Sequence, residues 1–214
     1  MFGNLHHKLF AAIYDPVQAA GERTWLGAAR ADLLGDIGGT VAEIGGGTGA
    51  NLPHYRRADR VVIGEPDDEM RARLSDKLGR ARVPVEMSAN PADAIDAPDD
   101  SFDAVVSTLV LCTVPDPSAV FAEARRVLRP GGRLYFLEHV RGDDGSVIRR
   151  KERIDPFWSW LSLGCHVTRD TVGMLESEGW TVEVRREFGP SKLPAFLKPF
   201  VLGVATPPST EVSS

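Results

Sequence analysis

A chain of 214 residues with 43% hydrophobic and 26% charged side chains has the balance of one folded domain with appendages, neither disordered nor fibrous. Its 25 basic residues against 30 acidic ones give a formal charge of −5, which leaves no surplus of cations for a phosphate backbone and argues against a nucleic-acid partner. Two cysteines, Cys112 and Cys165, are too few for a disulfide framework and lack metal-ligand spacing, so a reducing, cytoplasmic setting without a metal is expected.

Residues 1–39 precede the first strand pattern and read as a helical cap, with Asp15-Pro16 as a break and 19–34 as the longer helix. The opening MFGNLHHKLFAAIYDP lacks the basic start and apolar centre of a signal peptide. No apolar run approaches the roughly 20 residues that span a bilayer. His6 and His7 have no partner at metal spacing and read as a surface pair. From residue 40 onward, five short runs rich in Val, Ile, Leu or Phe, at 40–44, 60–64, 84–88, 103–108 and 133–139, predict strands buried on both faces. Helical patterns alternate with them. Residues 67–80 open with three acids and carry Met70, Leu74 and Leu78 on one face, and 117–128 carry Val120, Phe121, Ala124 and Leu128 before the stop Pro130-Gly131-Gly132. This βαβ series predicts an α/β, doubly wound parallel sheet with right-handed crossovers.

An insertion of about 141–170 follows the fifth strand. The charged run Arg149-Arg150-Lys151-Glu152-Arg153 reads as a solvated helix face. The aromatic cluster behind it, Phe157, Trp158, Trp160 and Leu161, reads as the roof of a hydrophobic acceptor pocket, with a dimer interface as the alternative, because the carboxyl ends of such strands are where ligands bind. A helix from Thr168 to near Gly179, closing strands at 180–187 and 200–206 that pair antiparallel at the sheet edge, and a frayed tail at 207–214 complete the chain.

The strongest signal is Val41-Ala42-Glu43-Ile44-Gly45-Gly46-Gly47-Thr48-Gly49-Ala50-Asn51, a strand entering a four-glycine turn and then a helix. Gly45, Gly47 and Ala50 also satisfy the dinucleotide fingerprint, which keeps a nicotinamide enzyme in view. Glu43 weighs against it: a carboxylate at the strand end repels a pyrophosphate and attracts an ammonium group such as that of S-adenosylmethionine. Glu65 lies 22 residues beyond Glu43, near the roughly 20-residue offset at which an acid accepts ribose hydroxyls.

Glu43 to Gly49 resembles the E/D-x-G-x-G-x-G of class I S-adenosylmethionine-dependent methyltransferases, and Asp99-Asp100-Ser101-Phe102-Asp103 and Glu123 to Gly132 resemble that family's later motifs, in order and spacing. The resemblance implies a Rossmann-like seven-stranded sheet, parallel with one antiparallel strand, S-adenosylmethionine as cofactor and S-adenosylhomocysteine as product. It also implies that Gly45, Gly47 and Gly49 approach the methionine moiety, that Glu65 with Pro66 meets the ribose, and that Ala92 and Asp93 meet the adenine, although Pro91 departs from the family pattern. Asn51 and Thr108 join the cofactor set, and Tyr14 resembles the N-terminal tyrosine that closes over the cofactor.

Five further blocks, Thr108 to Val114, Tyr135 to Val140, Asp155-Pro156-Phe157-Trp158, Gly164 to Asp170 and Lys198 to Gly203, are similar to the alkyl-thiol S-methyltransferases of animals. Those relatives carry an N-terminal hydrophobic anchor, and none is expected here, so a soluble microbial-type cousin acting on a small acceptor, most naturally a thiol, is the reading. A more distant resemblance is to quinone-ring methyltransferases. Glu138 and His139 at the end of strand five are the expected catalytic pair, against the alternative that one points into the sheet. Arg169 is expected to orient a substrate carboxylate or to pair with Asp170. Cys112 and Cys165 read as small buried hydrophobes. An amine, phenol or quinone acceptor, or a non-catalytic S-adenosylmethionine-binding protein, stays open, as does oligomeric state.

Overall fold

The computed structural model describes residues 14–16, 18–162, 164–191 and 193–208. His6, His7 and the tail from 209 lie outside the described residues. A single seven-stranded sheet runs in the order β3-β2-β1-β4-β5-β7-β6, built from β1 (Gly38–Ile44), β2 (Arg57–Gly64), β3 (Val85–Ser88), β4 (Phe102–Thr108), β5 (Leu128–His139), β6 (Thr181–Phe188) and β7 (Phe200–Thr206). Strands β1 to β5 pair in parallel, and β7 runs antiparallel to both β5 and β6, so it is the one reversed strand. The chain reverses its winding between β1 and β4, and in such sheets ligands bind at the strands' carboxyl ends beside that switch point.

Both faces of the sheet are covered. Ala42, Val105, Phe136 and Val201 pack against Val120, Phe121 and Ala124 of α3 (Pro117–Val127) and Leu175 of α5 (Thr171–Ser177). On the other face, Val41, Ala104, Val106 and Leu137 meet Leu26, Ala29 and Leu33 of α1 (Trp25–Leu34) and Leu74 of α2 (Asp68–Asp76). Alternation along each strand divides its apolar residues between two cores. Asp67, Asp116 and Asp144 cap α2, α3 and α4 (Gly145–Leu161), each accepting two backbone N–H groups at the helix start.

Three expected elements differ. The long N-terminal helix is interrupted at Arg23-Thr24, where Thr24 N bonds Gly21 O at 3.0 Å, whereas Asp15 and Pro16 lie in a helical turn. No regular helix follows the glycine loop: residues 47–54 form successive turns with bonds of the Gly49 N to Gly46 O type, ended by Pro53, which has no N–H to donate. The charged run and the aromatic cluster form one helix, α4, with Pro156 inside it.

Candidate functional site

The glycine loop is shaped by close approach. Gly45 has φ +60°, and a Cβ there would lie 2.6 Å from Val110. Gly47 has φ +55° and open space where a side chain would stand, so this backbone is free to be approached. Beside it, the buried Glu65 accepts from Gly47 N at 2.7 Å through one oxygen and from Asp67 N at 2.9 Å through the other. Each oxygen keeps a lone pair, as a ribose diol requires. Burial pushes the Glu65 carboxyl up, although both backbone bonds pull it down. The residues thus fit the nucleoside cofactor that the resemblance implies.

Glu43 lies beneath the loop, with Oε1 accepting from Asn51 Nδ2 at 3.0 Å and Oε2 from Tyr55 Oη at 2.7 Å. Burial raises it to about 7, despite the hydrogen bonds of Tyr55 and Asn51 and the charge of Arg30. Arg30 of α1 completes the network: it is 3% exposed and donates to Asn51 Oδ1 at 2.7 Å, to Thr108 Oγ1 at 2.8 Å and to Glu22 at 3.2 Å. Asn51 and Thr108, expected among the cofactor residues, are thereby held in fixed orientation. Asp15 pins the segment above the loop by accepting from Thr48 and Lys77. The neighbouring Tyr14 is half-buried, and burial raises its phenol against the charge of Arg30.

Toward the expected adenine side, Ala92 is half-buried against the core, while Asp93 and Pro66 are exposed. This segment is braced from α3. Arg126 donates to Ile95 O at 3.0 Å, Ala97 O at 2.9 Å and Asp99 at 2.7 Å, and Glu123 accepts from Ile95 N at 2.7 Å.

The expected acceptor side comprises the end of β5, the loop after β4, α4 and residues 164–170. Glu138 is fully buried and turned into the sheet, its Oε1 accepting from Ser107 Oγ at 2.7 Å, Val110 N at 3.0 Å and Leu111 N at 3.1 Å. Leu109 has φ +61°, an unfavourable value for a branched residue, and the Glu138 carboxylate holds the strained turn by its next two N–H groups. Glu138 thus points into the sheet and braces the loop after β4, the orientation that the sequence left open as the alternative. Its Oε2 and the His139 Nδ1 are buried with no hydrogen-bond partner. Burial raises the Glu138 carboxyl against the bonds from Ser107, Val110 and Leu111.

The inward stripe of α4 is Lys151, Asp155 and Trp158, spaced four and three residues apart. Lys151 is fully buried and donates to Val140 O at 2.8 Å and Arg141 O at 2.9 Å, and burial lowers it to about 8. Asp155 Oδ2 bonds His166 Nδ1 at 2.7 Å, and His166 Nε2 lies 3.4 Å from Ser159 Oγ. Trp158 packs edge-on against Phe196. Phe157 and Trp160 do not roof this region: at 65% and 64% exposed they occupy the outer face, because the inner stripe is already filled. Arg169 does not pair with Asp170 but donates to Leu111 O at 2.8 Å and Val114 O at 2.6 Å, while Asp170 pairs with Arg141 at 3.0 Å. Cys165 Sγ lies 3.6 Å from Cys112 Sγ. Sequence reasoning missed Arg30, Tyr55, the Asp155–His166 pair and the cysteine contact. Asp155, Cys165 and His166 all stand in the blocks that carried the thiol resemblance, but nothing in their spacing shows that they meet.

Comparison with known proteins agrees with this fold. Residues 42–136 match a family model described as a methyltransferase domain. Human thiol S-methyltransferase TMT1B is 37% identical over 171 residues, 77% of this chain and 69% of that protein. The rat TMT1B is 36% identical over 155 residues, 71% of this chain, and the match spans 63% of its length. Among solved structures, a Thermotoga maritima SAM-dependent methyltransferase, described as a possible histamine N-methyltransferase, superposes with a TM-score of 0.69 at 21% identity, covering 94% of this chain and 97% of that one.

Proposed function

Because the chain belongs to the methyltransferase family that contains the thiol S-methyltransferases TMT1B and TMT1A, we propose that it methylates a small hydrophobic thiol. S-adenosylmethionine, when bound, supplies a methyl group on a sulfonium, open to in-line displacement. Glu65 and the glycine loop hold the nucleoside side, the network of Arg30, Asn51, Thr108 and Glu43 keeps the loop rigid, and Tyr14 closes over it. The acceptor side needs a shaped, water-poor space and a route for one proton. At pH 7 about 3% of a thiol with pKa near 8.5 is already ionised, so a modest base suffices.

The observation that carries the acceptor assignment is the bond between His166 Nδ1 and Asp155 Oδ2, in a segment joined to the β4 loop through His166 N and Cys112 O at 2.7 Å. Asp155 fixes the tautomer with the proton on Nδ1, so Nε2 is the basic atom, and the Ser159 hydroxyl 3.4 Å away must turn aside for Nε2 to take the thiol proton. Trp158, on the inward stripe of the same helix as Asp155, contributes an apolar wall. Two free cysteines fit a reducing, cytoplasmic location. Among the described residues, no helix is long and apolar enough to cross a membrane.

Release of S-adenosylhomocysteine with a panel of alkyl thiols, amines, phenols and quinols tests the reading. Turnover of an amine or phenol with no thiol accepted overturns the thiol assignment. Asp155→Asn and His166→Ala should lower kcat at pH 7 and recover toward the parent at pH 9, where the thiol ionises unaided; a deficit constant across that range removes the pair from proton transfer.

A further inference from the structure

Cys112 closes the loop after β4 and Cys165 follows α4, 53 positions later. Their segments are tied together by His166 N donating to Cys112 O at 2.7 Å and by Arg169 donating to Leu111 O at 2.8 Å, so the 3.6 Å contact between the sulfurs is held by bonds on either side. Bond formation requires the sulfurs to close by about 1.5 Å from this contact. The two thiols differ in access. Cys112 is 1% exposed, whereas Cys165 is partly exposed. Two polar groups that act on Cys165, His139 and Trp158, each bury a nitrogen, Nδ1 and Nε1, that has no hydrogen-bond partner. A pair of inert apolar thiols does not need such company, whereas a sulfur anion does.

We propose that Cys165 and Cys112 form a thiol–disulfide exchange pair for small-molecule disulfides, in which Cys165 attacks and Cys112 resolves. The assignment goes beyond methyl transfer and rests on the cluster alone. With Cys165 ionised, the Cys112 S–H is the donor. That bond first, and then His139 and Trp158, hold the Cys165 thiol well below its ordinary value against the effect of burial, while Cys112 is pushed up. In the first step the Cys165 thiolate attacks one sulfur of R–S–S–R′, forming Cys165–S–S–R and expelling R′S⁻. R′S⁻ takes the proton of Cys112, whose sulfur then attacks Cys165 Sγ and releases RS⁻. One disulfide is reduced to two thiols, and the cysteine pair is oxidised by two electrons and closes as Cys112–Cys165. A small dithiol restores it.

The test uses the whole reduced chain with 2-hydroxyethyl disulfide at pH 6, where an ordinary thiol is only about 0.3% ionised. Intact mass and peptide mapping follow the products. The parent should lose two hydrogens and yield the Cys112–Cys165 crosslink, at least tenfold faster than the same chain unfolded in urea. Cys112→Ser should accumulate a 2-mercaptoethanol adduct on Cys165, and Cys165→Ser should react at least tenfold more slowly than the parent. An adduct formed first on Cys112, or a native chain no faster than the unfolded one, overturns the proposal, and the second comparison needs no variant to fold. S-adenosylhomocysteine release is scored separately, so failure of exchange and failure of methyl transfer are distinguishable.

Discussion

Arg30 donates to the side-chain carbonyl of Asn51 at 2.7 Å, and through this bond a helix preceding the sheet fixes the floor of the glycine loop. Asn51 in turn donates to Glu43 and Thr108, each at 3.0 Å, so one guanidinium orients groups on the ends of two strands.

Replacing Arg30 with Met should therefore cost about 2–4 kcal/mol of folding stability, since the buried acceptors on Asn51 and Thr108 lose their charged donor. Urea unfolding gives the magnitude. Affinity for S-adenosylhomocysteine, measured by calorimetry, should fall as well; unchanged affinity would separate this network from cofactor binding.

Glu65 is expected to accept ribose hydroxyls while it accepts from Gly47 and Asp67. Glu65→Ala should weaken S-adenosylhomocysteine binding by about 10- to 100-fold, the range of one or two hydrogen bonds to a charged group. Glu65→Gln keeps one acceptor oxygen and should lose less. Equal affinity of all three proteins by titration calorimetry contradicts the ribose role.

Glu43 has a folded-state value near 7 against an ordinary value of 4.5. The folded chain therefore binds more protons than the unfolded chain between those pH values, and the contribution of this group to stability falls as pH rises through the window, by at most about 1.4 kcal/mol per pH unit. Below pH 4.5 its contribution is fully present. Subtracting the pH–stability curve of Glu43→Gln from that of the parent should expose this slope; a flat difference refutes the raised value.

Glu138 holds the strained turn at Leu109, and its oxygen acts as acceptor only. Glu138→Gln should retain the three bonds at Oε1 and most of the turnover, whereas Glu138→Ala should cost about 3 kcal/mol and lower kcat by releasing the loop. Thermal melts and steady-state rates distinguish the two. Loss of turnover in Glu138→Gln with its melting temperature intact would return Glu138 to a catalytic role.

Arg126 supports the segment expected to face the adenine through the carbonyls of Ile95 and Ala97. In Arg126→Ala the loop should exchange backbone hydrogens faster over 90–100 and bind S-adenosylhomocysteine several-fold more weakly, with the sheet core unaffected. Hydrogen exchange unchanged over that segment would show that Glu123 suffices.

The order of strands and helices, the glycine turn, the acids ending β1 and β2 and the family resemblance all follow from local pattern: burial period, turn chemistry and motif spacing are properties of neighbouring residues. Asn51 and Thr108 were legible as candidates from the same pattern, while the Arg30 that holds them was not. Tertiary structure alone decided that Glu138 braces a loop, that Phe157 and Trp160 face outward and that Cys112 meets Cys165. Such facts depend on the register of β4 against β5, where Ser107 lies opposite Phe136 two residues before Glu138, and on the rotation of α4 that turns Lys151, Asp155 and Trp158 inward. Period tells a strand or helix that it has a buried face. Which groups meet across that face is set by the packing of distant elements, and here that packing assembled the thiols and the histidine–aspartate pair.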